Sequence, residues 1–190
     1  MLFKMTGDSH YFIGFPVPEV KRGILAKWQE ALEPFVDYRT WMHIDDFHIT
    51  IRFLGALSSQ QVAELKRKLQ SLELNAFDVS INGLNFFGKE EQPRVMYAEV
   101  ERQDDIMTLK SEVDHVLETF DFDKEKRPYR PHITLAKKWG KGKIHLSQEA
   151  LEHKIDAEKH LHFTMNSFNL YRVHPDQWPK YEVVQSFKLE

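Results

Sequence analysis

The sequence predicts a mixed α+β fold with largely antiparallel sheets, and three observations lead there. Stretches that alternate apolar and polar residues with period two are interleaved with stretches whose apolar residues recur at helical spacing. Several neighbouring strand-like stretches are joined by connections too short for a crossover, which makes them antiparallel partners. The phrase His-Ile-Thr occurs at 48–50 and again at 132–134, each time after a helix and a loop, which points to two similar halves.

Residues 10–15, His-Tyr-Phe-Ile-Gly-Phe, read as a first strand rich in aromatic residues. Pro18 suits the first position of a helix whose apolar stripe is Val20, Ile24, Trp28, Leu32 and Phe35, and Pro34 ends or breaks it. A polar loop over 37–46 leads into a strand from His48 to Gly55. Ser58 and Gln61 make a capping-box pattern ahead of a helix carrying Val62, Leu65, Leu69 and Leu72. Residues 77–81 alternate as a strand, and Asn82-Gly83 signals a turn. After a polar stretch at 88–92, residues 93–100 form another strand, with Val95, Tyr97 and Glu99 on one face and Met96, Ala98 and Val100 on the other. Asp104 or Asp105 caps a helix with Ile106, Leu109, Val113, Val116, Leu117 and Phe120 on its apolar side. The second His-Ile-Thr strand follows, then a short helix between Ser147 and His153. Two strands, Leu161–Val173 and Lys180–Leu189, close the chain around a Pro-Asp-Gln-Trp-Pro connection.

Composition narrows the function classes. With 190 residues the chain fits one domain or two small lobes sharing a core, and 42% hydrophobic residues with 14 Phe can fill it. A net charge of −3 gives no general attraction to nucleic acid. Locally the balance differs: from Lys124 to Lys143 eight Lys or Arg face Glu125 alone, around the second His-Ile-Thr phrase. Such a run is most often a solvated surface. The absence of cysteine excludes disulfides, thiolate nucleophiles and Cys-based zinc sites. The N-terminal residues contain no long apolar stretch, so a soluble, cytoplasmic protein is expected.

The chemistry lies in the repeated phrase. Side chains alternate along a strand, so His48 and Thr50 share one face, as do His132 and Thr134, while Ile49, Ile51, Phe53, Ile133 and Leu135 point into the core. A lone strand His is usually structural. Two His-x-Thr copies, each opening an apolar strand, instead suit a shared ligand flanked by one general acid and one general base. Hydroxyls beside them favour an anion with several oxygens, most simply a phosphodiester. Arg130, Lys137 and Lys138 match its charge.

At these residues the chain resembles the two-histidine (2H) phosphoesterase superfamily, marked by two His-x-Thr/Ser-x motifs. Within it the chain is similar to the RNA 2′,3′-cyclic phosphodiesterase family, also called 2′-5′ RNA ligase or LigT-like. The supporting stretches are Tyr-Phe-Ile-Gly-Phe-Pro-Val-Pro (11–18), Asp-Phe-His-Ile-Thr-Ile-Arg-Phe-Leu-Gly (46–55), Asn-Phe-Phe-Gly through Pro-Arg-Val-Met-Tyr-Ala (85–98) and Arg-Pro-Tyr-Arg-Pro-His-Ile-Thr-Leu-Ala-Lys (127–137). The closing Phe-Asn-Leu-Tyr-Arg and Tyr-Glu-Val-Val-Gln-Ser-Phe also fit.

The resemblance implies one 2H phosphoesterase domain over residues 1–190, bilobal, with two pseudo-symmetric halves whose antiparallel sheets face a central cleft and whose helices lie outside. It implies hydrolysis of an RNA terminal 2′,3′-cyclic phosphate to a 2′-phosphate, without metal or other cofactor. His48 would be the proton donor and His132 the proton acceptor, with Thr50 and Thr134 holding the phosphate oxygens. Lys137 keeps a positive charge but lacks the bidentate fork of arginine. By simple alternation Lys137 faces away from His132 whereas Arg130 faces the cleft, so Arg130 ranks above Lys137 for substrate binding. Arg52 shares parity with His48 and Thr50 and is equally well an exposed strand residue.

Competing readings remain at this level. On the same site the protein would join RNA ends through a 2′-5′ linkage or hydrolyse small cyclic nucleotides. A module that binds nucleotides without turnover has no need of an acid and a base. A metal hydrolase would have to draw on His43, Asp45 and Asp46, or on His160 and His162, and neither set has a convincing third and fourth ligand. No Walker A motif is present, which disfavours ATP-driven ligation. Phe86, Phe87, Trp41 and Trp139 are candidates to stack a base. RNA ends or small cyclic nucleotides are the expected partners, with no membrane and a monomeric chain.

Overall fold

A computed structural model of the chain describes residues 9–120, 122, 125–155 and 159–190. Lys124, the first residue of the basic run, and the N-terminal segment 1–8 lie outside them. The strands are β1 (His10–Pro16), β2 (Tyr38–Trp41), β3 (His48–Ala56), β4 (Phe77–Lys89), β5 (Gln92–Val100), β6 (His132–Trp139), β7 (His160–Met165), β8 (Ser167–Val173) and β9 (Tyr181–Lys188). The helices are α1 (Glu19–Leu32), α2 (Ser59–Gln70), α3 (Asp104–Glu118) and α4 (Gln148–Glu152). Every strand pairing among the described residues is antiparallel, so the α+β class read from the sequence is the one observed.

The nine strands among the described residues form one sheet of order β7-β4-β5-β6-β3-β1-β8-β9, with β2 added beside β6. It has two four-strand halves, β7-β4-β5-β6 and β3-β1-β8-β9, each held by long ladders. Between the halves β3 and β6 share one residue pair, Ile49 opposite Ile133. Beyond that pair β6 parts from β3 and takes β2 instead, with Thr40 opposite Lys137 and Tyr38 opposite Trp139. At the other extreme only Asn166 separates β7 from β8, which lie toward opposite ends of the strand order. One residue spans at most about 3.6 Å, so the sheet is curled until its ends meet at this corner.

Helices brace the seam crosswise. From α1, Leu25, Trp28 and Leu32 are buried, and Gln29 Nε2 donates to the Met42 and Leu135 carbonyls, tying α1 to β6. From α3, Ile106, Leu109, Val113, Val116 and Leu117 are buried, and this helix packs against β3. α2 begins with the expected capping box: Ser58 Oγ accepts from Gln61 N at 3.3 Å, and Gln61 Oε1 accepts from Ser58 N at 2.9 Å. Ser147 caps the short α4. None of the described helices is long and apolar enough to cross a membrane.

Several local expectations are corrected. Pro18 is the N-cap of α1 rather than its first residue. Val20, in the first turn and outside the core cluster, is 76% exposed, and Phe35 lies exposed in a separate 3-10 turn where the Lys154 ammonium covers its ring. The segment 37–46 is not all loop, because Tyr38 packs edge-on against Trp139 and carries β2 onto β6. Asn82-Gly83 is no turn: β4 runs on to Lys89 through a register shift between Ile81 and Leu84, with Gly83 at φ +82°. Both a turn and a bulge call for positive φ, so the dipeptide signals either. Gln103 is the N-cap of α3, and Asp104 and Asp105 occupy its first turn, where carboxylates offset the helix dipole.

Gly14 on β1 sets how closely β3 approaches. A Cβ there would lie 2.9 Å from the Ile49 carbonyl oxygen and 3.4 Å from His48 Cδ2. Gly14→Ala is expected to destabilise the fold by about 1–3 kcal/mol through overpacking, read as a lowered urea midpoint with an unchanged slope. An unshifted midpoint would show that β1 and β3 are not in tight contact at this point.

Candidate active site

The seam register builds the site. With Ile49 opposite Ile133 in an antiparallel pair, His48 stands across from Thr134 and Thr50 across from His132. Both isoleucines are fully buried on the helix side, so the two histidines and two threonines share the other face.

Each imidazole is aimed by the same device. His48 Nδ1–H donates to the carbonyl of Asp46 at 2.7 Å, and His132 Nδ1–H donates to the carbonyl of Arg130 at 2.7 Å. A carbonyl only accepts, so the proton is assigned to Nδ1 and each neutral ring is left with its lone pair on Nε2. The Nε2 of His48 lies 3.0 Å from Thr50 Oγ1. Asp46 is itself fixed: its carboxylate, 2% exposed, accepts from Lys180 N at 2.9 Å and Tyr181 N at 3.1 Å. It thereby joins the His48 strand to the start of β9.

Aromatic rings pack around both imidazoles. His48 lies 4.6 Å from Phe12 and edge-on to Tyr181 at 5.0 Å between centroids. His132 lies edge-on to Phe87 at 5.0 Å and 5.1 Å from Tyr97. Burial lowers the His48 pKa to about 4; His132 and Lys137 push it the same way, while the Asp46 carbonyl opposes them. Burial also lowers His132, against the Arg130 carbonyl. Lys137 is lowered by burial and by the ammoniums of Lys180 and Lys138, with Asp46 acting the other way.

Two bulges decide which further residues reach the cleft. On β3 the pairing passes from Gly14↔Thr50 to Ile13↔Arg52, so Ile51 is an extra residue. On β6 it passes from Tyr97↔Thr134 to Met96↔Ala136, so Leu135 is extra. Each bulge reverses the face of everything after it. Phe53, expected in the core, is 66% exposed and lines a cavity with Thr50 and His132. Arg52, expected on the His48 face, is 7% exposed on the helix side, within ion-pair distance of Asp114 and Glu125. Lys137, expected to face away, lies close enough to His48 to depress its proton affinity. Arg130 is exposed and lines the cavity beside His132.

The remaining candidates disperse. His43 Nδ1 accepts from Asp45 N, Asp45 pairs with Arg22 at 2.6 Å, and Asp46 serves β9. His162 meets Ser80 Oγ at 3.1 Å, and His160 is exposed on β7. Among the described residues no group of three or more His, Cys, Asp or Glu is placed to hold a metal. Of the four proposed stackers Phe87 reaches the cleft, while Phe86, Trp41 and Trp139 pack against the core. From sequence, Phe53 reads as a core residue, Asp46 as one member of a candidate metal cluster and Tyr97 only as part of a strand face, while Phe12 and Tyr181 have no assigned role at the site. Only Asp46 left a usable signal, since Asp46-x-His48 and Arg130-x-His132 share one spacing.

The sequence profile of the AKAP7 2'5' RNA ligase-like domain matches residues 10–189 of this chain. An RNA 2',3'-cyclic phosphodiesterase of Bacillus subtilis is 34% identical over 187 residues, covering 95% of this chain and 96% of its own. Another, from Geobacillus stearothermophilus, is 30% identical over 183 residues, covering 95% of this chain and 57% of its own. In three dimensions the fold matches Escherichia coli LigT complexed with 3'-AMP at a TM-score of 0.75 and 17% identity, over 96% of this chain and 98% of that one. A Thermus thermophilus protein matches at a TM-score of 0.74 and 21% identity, over 95% and 97% of the two chains.

Because burial holds both imidazoles below their ordinary range, acid favours the unfolded chain, in which they bind protons first. The His48 contribution to stability is fully present above pH 6.5 and is lost as pH falls toward about 4. Urea unfolding between those limits is expected to show a decline of up to about 1.4 kcal/mol per pH unit from this residue. The decline should be shallower in His48→Gln; an identical decline in the variant would mean that His48 titrates normally in the fold.

Proposed function

The chain belongs to the AKAP7 2'5' RNA ligase-like domain family, a 2H phosphoesterase family, and on that premise we propose that it hydrolyses RNA terminal 2′,3′-cyclic phosphates to 2′-phosphates. The observation that carries the reading is the crosswise register at Ile49 and Ile133, which sets two Nε2-active imidazoles and two hydroxyls on one face. The relatives named RNA 2',3'-cyclic phosphodiesterase that align over nearly the whole chain support it.

In this reaction a water oxygen attacks phosphorus and its proton passes to His132 Nε2. The P–O3′ bond breaks as His48 Nε2–H delivers a proton to the 3′-oxygen, leaving the phosphate on O2′. Thr50 and Thr134 donate to the non-bridging oxygens, whose charge grows in the transition state. Lys137, turned inward by the bulge at Leu135, adds a positive charge on the His48 side. Lys137 and Arg130 balance the anion's charge and the threonine hydroxyls hydrogen-bond its oxygens, so in this reading the reaction proceeds without a metal or other cofactor. In this reading residues 1–190 form one two-lobed domain that acts as a monomer on RNA ends in the cytoplasm.

The direct test is a short RNA ending in a 2′,3′-cyclic phosphate, incubated with excess EDTA, with the product identified by chromatography. A 2′-phosphate is expected. Unchanged RNA, a 3′-phosphate, or activity abolished by EDTA would each overturn part of the reading. His48→Ala and His132→Ala should each lose about 10²–10⁴-fold in kcat. The bulge placement gives a separate expectation: Lys137→Ala should lower kcat more than Arg130→Ala, since Lys137 stands beside the reacting groups. The reverse order would restore the simple alternation of β6.

A further inference from the structure

The cleft has a second chamber that hydrolysis of the cyclic phosphate does not use. The first, of about 580 Å³, holds His132, Thr50, Phe53 and Phe87. The second, of about 500 Å³, is lined by Asn85, Tyr97, Glu99 and Arg102 and contains no histidine. Tyr129 and Arg130 line both, forming the ridge between them. Each volume lies in the range that takes a nucleoside-sized ligand.

Glu99 is the unexpected group here. It stands opposite His132 in the β5–β6 register, a carboxylate beside a site for an anion. Asn85 Nδ2 donates to Glu99 Oε1 at 3.2 Å, and Asn85 Oδ1 accepts from Phe86 N at 2.7 Å, so the amide is oriented and holds the carboxylate in place. Among the described residues no donor meets Glu99 Oε2. A carboxylate only accepts hydrogen bonds and repels phosphate, so the part of the chamber around Glu99 favours a neutral group that presents N–H donors, while Arg102 and Arg130 leave the rest of the lining open to a phosphate. Guanine presents N1–H and N2–H side by side, a match to the two oxygens of a carboxylate. Uracil sets its single N–H between two carbonyls, which a carboxylate repels. Adenine and cytosine each place an amino group beside an acceptor nitrogen. RNA bases that are not stacked are read along these edges.

We propose that the second chamber is a subsite for the base of the nucleotide immediately 5′ of the cyclic phosphate, with guanine paired to Glu99 and Arg130 holding the phosphodiester that joins the two nucleosides. The orientation rests on the cyclic-phosphate reading, which puts the terminal nucleoside in the chamber that holds His132. The preferred substrate is then an RNA end of at least two nucleotides rather than a mononucleotide.

The test compares GpA, ApA, CpA and UpA, each ending in a 2′,3′-cyclic phosphate, with values normalised to adenosine 2′,3′-cyclic phosphate. The expected kcat/KM for GpA exceeds that for UpA by about tenfold, the size of one good bidentate base contact. In Glu99→Gln the ratio should fall to about twofold or less, and Asn85→Ser should lower it in the same direction. Equal values for the four dinucleotides in the unmodified protein, or a full guanine preference retained in Glu99→Gln, would overturn the subsite. If none of the cyclic phosphates is turned over, the reading of the reaction fails, and the subsite is then judged by calorimetry with GpA and UpA carrying a 3′-phosphate. A tenfold tighter Kd for the guanine dinucleotide upholds the subsite, and equal Kd values or no binding reject it.

Discussion

One antiparallel pair, Ile49 opposite Ile133, fixes the whole cleft. A slip of one residue on either strand would turn a histidine and a threonine into the core and bring isoleucines out, so the register is set by apolar burial. Both isoleucines are fully buried, and the seam is reinforced from three sides. Gln29 reaches from α1 to the Leu135 carbonyl, α3 packs behind β3, and Tyr129 Oη–H donates to the Thr50 carbonyl at 2.9 Å. Because the pair is antiparallel, each histidine faces the other phrase's threonine. A parallel pair would have set the histidines side by side and left the threonines together. The ladder is also as short as it can be, and that has its own effect. Were β3 and β6 paired along their length, β2 would have no edge on β6, and the two halves would continue as one surface at the point where they part.

The matched bulges turn a symmetric sequence into an asymmetric cleft. After each His-x-Thr, one extra residue, Ile51 or Leu135, brings the fifth residue beyond the histidine to the cleft face. On one strand that residue is Phe53 and on the other Lys137. The equivalent slots therefore hold an aromatic ring and an ammonium. The aromatic slot opens toward Phe87 and the chamber beside His132, whereas the cationic slot lies on the His48 side near Lys180. The same bulge sends Arg52 inward. Burying a guanidinium is costly unless it is paired, and here Asp114 and Glu125 lie near both Arg52 and the buried Lys110. Glu125 belongs to the segment that carries Tyr129 and Arg130, so this charge cluster ties the ridge of the cleft to the back of β3.

How much of this was legible in the sequence depended on whether the signal was local. The four His and Thr positions could be read because strand alternation holds over the three residues that matter. The capping box at Ser58 and Gln61 could be read because it closes within one turn. The bulges could not, since Ile51 and Leu135 are apolar residues in apolar strands and an inserted core residue leaves the period-two pattern superficially intact. Phe53, Arg52 and Lys137 were misplaced for that single reason. β2 was hidden because its partner, β6, lies about a hundred positions further along the chain and its own residues look polar. The sequence reads Leu161–Val173 as one strand where the structure has β7 and β8 on either side of Asn166, since a strand that leaves one sheet edge and enters the other shows no break in composition. The aromatic cage of His48 joins Phe12, Tyr171 and Tyr181 from distant segments, and no spacing announces it.

The two histidines are nearly equivalent in sequence, yet their surroundings are not. His48 lies among Phe12, Tyr171 and Tyr181, and both His132 and Lys137 oppose its protonation. Burial lowers His132 as well, against the Arg130 carbonyl, but without the further push that Lys137 gives His48. In the free protein His48 is therefore the weaker proton binder, an awkward property for the group assigned to donate one. In the proposed reaction the substrate resolves this. A phosphodiester anion placed between the imidazoles offsets Lys137 and favours the charged form of whichever ring it contacts, and it does so in surroundings of low dielectric where the effect is large. The acid then exists only while the phosphate is bound. His132, opposite Glu99 and beside the open chamber, is better placed to take a proton from incoming water. In the proposed reaction the division of roles follows from where the bulges put one lysine and one phenylalanine, rather than from the His-Ile-Thr phrases themselves.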